Sequence, residues 1–100
     1  MLGRLNCFDS SAGTMSYSDE VVNDVYDKTG GYCTYCRRKI HFQNYGGGDA
    51  VGSWEIDHWI PISRGGSDAF SNLIPACVFC NRCKQDMTGD EFIDWLKHQQ

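Results

Sequence analysis

Residues 54–84 read WEIDHWIPISRGGSDAFSNLIPACVFCNRCK. The opening run alternates from Trp54 to His58, which predicts a strand with Trp54, Ile56 and His58 on one face and Glu55 and Asp57 on the other. Adjacent Asp57 and His58 should then point oppositely, unless the strand ends or bulges there. Ile60-Pro61 forbids helix, Ser63-Arg64-Gly65-Gly66-Ser67 makes a polar loop, and the chain returns through Ser71-Asn72-Leu73 to Ile74-Pro75. The expectation is a β-hairpin with a long loop. From about Phe79 to Asp86 the sequence can turn helical.

The pair that closes this stretch, Cys77-x-x-Cys80, has a counterpart upstream in Cys33-x-x-Cys36. A CxxC turn presents two thiolates, and two such turns supply the four soft ligands that tetrahedral zinc prefers. The alternative is a pair of disulfides. Met1 to Ser16 show no apolar core of a signal peptide, so zinc in a reducing, cytoplasmic setting is the expectation. The two knuckles should meet in space and clamp Asp57-His58 between them. Cys7 reads as incidental in a loose arm, and Cys83 as a helix residue rather than a ligand.

With 100 residues, 41% of them hydrophobic, the chain has room for one domain and a modest core, which a metal staple would stabilise. No apolar run reaches the roughly 20 residues of a membrane span. The net charge is −4, against a nucleic-acid partner at first sight. Its distribution is uneven. Residues 1–30 carry two basic and five acidic groups, residues 31–84 six and four, and residues 85–100 one and four, so the basic excess lies between and around the cysteine pairs.

Outward from the cysteines, residues 1–16 form an arm without periodicity, and 17–100 the domain. Ser18 can cap a helix with Asp19 and Glu20 in its first turn and Val21, Val22, Val25 and Tyr26 at helical spacing, ended by Gly30-Gly31. Ile40-His41-Phe42 reads as a short strand, and Asn44 to Gly48 as a flexible turn that lacks the lysine and helix start of a phosphate-binding loop. Thr88-x-x-Glu91 is a capping-box signature for a last helix that buries Phe92, Ile93, Trp95 and Leu96.

Taken in order, Cys33-x-x-Cys36, Glu55-x-Asp57-His58-x-Ile60-Pro61, Arg64-Gly65-Gly66-Ser67, Ser71-Asn72-Leu73 and Cys77-x-x-Cys80-Asn81-x-x-Lys84 closely resemble the zinc-containing HNH endonucleases. The resemblance spans roughly half the chain. It implies an α+β fold, a small ββα-metal domain stapled by a four-cysteine zinc site and flanked here by N- and C-terminal helices. It also implies hydrolysis of phosphodiester bonds, usually in DNA, with RNA open to the same chemistry.

On that resemblance His58 is the general base, and Asp57 and Asn81 hold one catalytic divalent ion. A histidine's ordinary pKa near about 6.5 suits proton abstraction from water at physiological pH. Asp57 and Asn81 offer hard oxygens suited to Mg²⁺ or Mn²⁺. Asn81 stands where the family name has histidine, which shifts the preference toward those ions. Asn72 matches the central asparagine, whose implied role is to fix the loop and orient the histidine. Glu55 either supports the ion or holds a basic side chain. Arg64, Arg82 and Lys84, with Arg37 and Arg38 behind them, are the candidate phosphate contacts.

The resulting reading is a metal-dependent DNA endonuclease, monomeric or homodimeric, possessing one active site per chain and so suited to nicking. A zinc-stapled nucleic-acid-binding module without turnover is the alternative from another class. The same chemistry would also serve an antibacterial toxin domain.

Overall fold

The computed structural model describes residues 16–99, so the arm expected over 1–16 lies almost wholly outside the described residues. Helix α1 spans Asp19–Asp27, opened by Ser18, whose hydroxyl accepts from the Val21 amide at 3.2 Å. It buries Val22 and Val25 and packs onto the hairpin. Strand β1, Trp54–His58, pairs antiparallel with β2, Leu73–Cys77, in a register that sets Trp54 opposite Cys77 and His58 opposite Leu73. Helix α2, Val78–Lys84, follows β2 without a linker. Helix α3, Gly89–Lys97, carries the complete capping box between Thr88 and Glu91 and buries Phe92.

The predicted strand at Ile40-His41-Phe42 does not form. Tyr32 and Lys39 make an isolated bridge, Ile40 donates to the Gly31 carbonyl at 2.9 Å, and Phe42–Asn44 is a single 3₁₀ turn. Alternation over three residues was too short a run to enforce a ladder once Ile40 alone was drawn fully into the core.

The two-stranded sheet lies between helices, and its alternation sorts the site. Trp54, fully buried, packs with Tyr26 of α1 at 5.4 Å between ring centroids and with Tyr45 at 4.8 Å. This is the α1 face of β1, and His58 belongs to it. Glu55 and Asp57 occupy the other face and meet α2. A second aromatic cluster joins Tyr35 edge-on to Phe92 at 5.0 Å and Phe92 to Trp95 at 5.6 Å, seating α3.

The long loop between the strands is bound to itself. Asn72 accepts from the Ile60 amide at 2.9 Å and donates its side-chain amide to the carbonyls of Ile60, at 2.9 Å, and Ser67, at 2.8 Å. A Cβ on Gly66 would lie 1.7 Å from the Ile60 carbonyl oxygen, so only glycine permits this approach. Among the described residues no helix is long and apolar enough to cross a membrane.

Candidate active site and zinc centre

The sulfurs of Cys33, Cys36, Cys77 and Cys80 all lie within 4.8 Å of one another. Cys36 and Cys77 are 3.8 Å apart, the edge of a tetrahedron whose centre is about 2.3 Å from each vertex, the Zn–S bond length. The two knuckles have the same local construction. The Tyr35 amide points at Cys33 Sγ and the Cys80 amide at Cys77 Sγ, each at 3.4 Å. The first knuckle docks on β2 through Thr34, whose amide and hydroxyl both donate to the Pro75 carbonyl at 3.0 and 2.8 Å. Mutual hydrogen bonding among the four thiols pushes Cys33 and Cys36 down and Cys77 and Cys80 up. Four thiols this close fit zinc, and these are the residues that would hold it. Cys83, by contrast, sits on α2 packed in the core.

Asp57 and His58 do point apart. His58 Nε2 lies 2.7 Å from Asp68 Oδ1 and 3.4 Å from the Tyr17 hydroxyl, and the His58 side chain is 16% exposed. Asp57 is buried on the α2 face. Its Oδ2 accepts from the Tyr35 hydroxyl at 2.9 Å and faces the Lys84 ammonium at 3.3 Å. Burial raises the Asp57 pKa, and the Lys84 charge and Tyr35 hydrogen bond offset only part of that. Tyr35 is raised in turn, chiefly by burial and then by the Asp57 charge, and so remains a donor.

Glu55, two residues back on the same strand face, accepts from the Asn81 amide at 2.6 Å. Of its two possible roles, the contact made is with a neutral amide. Glu55–Asn81 and Asp57–Lys84 thus form two adjacent rungs between β1 and α2, because residues two apart on a strand match residues three apart on a helix. The structure brings Asp57 and Asn81 to one interface but gives each its own partner.

Lys84 corrects the expectation that it contacts phosphate. It is 1% exposed, and its ammonium also donates to the His58 carbonyl at 2.8 Å. Its spacing of three from Asn81 was the signal that it shares the strand-facing side of α2. Arg64 is exposed, but its guanidinium is bidentate on Glu91, at 2.5 and 3.1 Å, and links the loop to α3. That hydrogen-bonded pair, and then the Thr88 amide, hold Glu91 down at about 2. Arg38 and Arg82 line a groove of about 330 Å³ with Lys39, Asp49 and the exposed Phe79, while Arg37 is exposed in the turn after the first knuckle. Three site residues, Tyr17, Tyr35 and Asp68, were not anticipated. None has a local sequence signal, since all reach the motif across many residues.

Truncating Lys84 leaves a buried carboxylate without its cation, a change that costs about 3–5 kcal/mol in comparable pairs. Lys84→Ala should lower the urea midpoint accordingly with an unchanged slope. Lys84→Met combined with Asp57→Asn should recover part of the loss; no recovery would mean that the lysine acts through its hydrogen bond to the His58 carbonyl and not through the Asp57 charge.

The HNH endonuclease family model matches residues 33–87, from the first zinc-knuckle cysteine to just beyond α2. The chain belongs to the HNH endonuclease family. The match covers 55% of the sequence and includes both knuckles, the hairpin and α2, and with them Asp57, His58, Asn72 and Asn81. No curated protein matches the chain. An HNH domain points to nuclease or nucleic-acid-binding function, and the four-cysteine cluster could hold a structural zinc.

Proposed function

We propose that this protein is a metal-dependent endonuclease that hydrolyses DNA phosphodiester bonds, with His58 as general base. The observation that supports it most is the placement of a polar, partly exposed imidazole at the end of β1, between an oxygen-rich strand–helix interface and a flank of loop residues. His58 takes a proton from water. The water oxygen bonds to phosphorus as the P–O3′ bond breaks, and the bonding pair leaves with the 3′ oxygen, which then takes up a proton from solvent.

Asp57 and Asn81, with Glu55 beside them, would hold the catalytic ion. Two carboxylates and an amide are hard oxygen donors, which fit Mg²⁺ or Mn²⁺. Such an ion, when bound, would offset charge that grows on the phosphate oxygens. Asn81 keeps its carbonyl oxygen available because its contact with Glu55 is made through the amide nitrogen.

Arg38 and Arg82 supply the phosphate contacts in this reading. Their groove lies at the Trp54–Cys77 end of the hairpin, four strand rises or about 13 Å from His58, so one strand of nucleic acid laid along β1 would meet both. Such contacts position the backbone without reading bases, and cutting should be relaxed in sequence and weakened by salt.

The binding-only reading draws on a specific observation: Asp57 and His58 Nε2 both already have partners within the chain. Supercoiled-plasmid conversion by the zinc-loaded protein separates the two. The enzyme reading requires open circle that appears only with added Mg²⁺ or Mn²⁺. DNA retention indifferent to those ions, without conversion, would establish the binding module. Metal-free buffer is the proper control, since EDTA would also strip the zinc.

A further inference from the structure

His58 has two ring nitrogens, and the fold treats them differently. Nε2 meets the Asp68 carboxylate at 2.7 Å, and Asp68 is itself held by the Tyr17 hydroxyl, which donates to the same Oδ1 at 3.1 Å. Among the described residues Nδ1 has no hydrogen-bond partner. A carboxylate accepts and cannot donate, so the contact at Nε2 requires the hydrogen to sit there and leaves the imidazole lone pair on Nδ1.

We propose that Asp68 is the positioning residue of His58: its carboxylate selects the Nε2–H tautomer, leaves Nδ1 as the proton acceptor, and steadies the imidazolium formed when water gives up its proton. The proposal rests on the nuclease reading for its consequence, though not for its geometry. Three features make the contact more than a surface ion pair. Tyr17, the residue before the α1 cap, brings a second donor from a separate part of the chain. Asn72 ties Ser67, the residue before Asp68, to Ile60 and so fixes the loop on which the carboxylate stands. The Ser67 hydroxyl accepts from the Ala69 amide at 3.2 Å, which holds the turn around Asp68. In agreement, hydrogen bonding to His58 draws the Asp68 pKa down, and burial followed by the Asp68 contact raises Tyr17 to about 12, so acceptor and donor keep these roles near neutrality.

The test is ¹⁵N NMR of the His58 ring in the zinc-loaded protein, under alkaline conditions where imidazoles are neutral, alongside plasmid-nicking kinetics. Wild type should show the Nε2–H tautomer, and Asp68→Ala a mixture. Over the same change kcat should fall on the order of 10- to 100-fold, a share of the roughly 10²–10⁴ that a positioned base contributes, with KM within about twofold. Asp68→Glu should restore part of both. A wild-type Nδ1–H tautomer, or an Asp68→Ala protein with the tautomer unchanged, would overturn the assignment. So would a rise in kcat, which would make Asp68 a cap over the base. Because the tautomer is read without turnover, a wild type that cuts nothing yet shows the Asp68-dependent tautomer would sink the nuclease reading and leave the positioning role standing.

Discussion

His58→Ala should lower DNA cleavage on the order of 10³-fold while leaving the zinc content and the urea midpoint close to wild type. The split follows from where the ring sits. His58 closes β1 on the α1 face, and its backbone still pairs with Leu73 and still accepts from Lys84 when the ring is gone. Tyr17 and Asp68 keep their hydrogen bond to one another, and at 16% exposure the vacated space opens to solvent instead of becoming a sealed cavity. Stability therefore barely moves, whereas proton abstraction loses its acceptor. The measurement is kcat on a supercoiled plasmid at saturating Mg²⁺ or Mn²⁺, with far-UV circular dichroism and bound zinc recorded on the same preparation. A folded, zinc-loaded His58→Ala protein that cuts at the wild-type rate would show that another group activates the water.

The contrast with Asp57, its neighbour in sequence, explains how much of the site could be read in advance. The period-two alternation of β1 separated the two side chains correctly, because a strand leaves no freedom about which face a residue takes. The hairpin was legible from Ile60-Pro61 and the glycine loop, and α3 from a capping box whose two hydrogen bonds are local. What escaped was the identity of partners across long sequence separations. Lys84 read as a phosphate contact, yet α2 begins directly at β2 and turns it inward onto Asp57. Tyr35 carried no reading of its own, but the tight knuckle that orients the sulfurs also throws its ring into the core and its hydroxyl onto Asp57. Asp68 is an ordinary loop residue until the Asn72 staple and Tyr17 converge on it.

Removing the zinc should unfold the domain, and Cys77→Ser should do so in the presence of zinc. Cys33 and Cys80 are almost wholly buried, and the two knuckles bring chain segments some 40 residues apart into contact, through their sulfurs and through the hydrogen bonds of Thr34 to the Pro75 carbonyl. Closing so long a loop is entropically unfavourable. Among the described residues the sheet between the knuckles has two strands, too few to be stable without added packing. A structural zinc contributes about 10–16 kcal/mol in small peptides, as much as or more than the about 5–15 kcal/mol that separates most folded domains from their unfolded chains. On loss of the metal Trp54, fully buried against Tyr26 and Tyr45 beside Cys77, would become exposed. Tryptophan emission should shift to the red on chelation, with loss of helical circular dichroism, and return on adding back Zn²⁺. Cys77→Ser should give the shifted spectrum at all zinc concentrations that saturate wild type. A zinc-free protein that kept the blue-shifted emission and a cooperative unfolding transition would mean that the aromatic packing of α1 and α3 on the hairpin, and not the metal, holds the knuckles together.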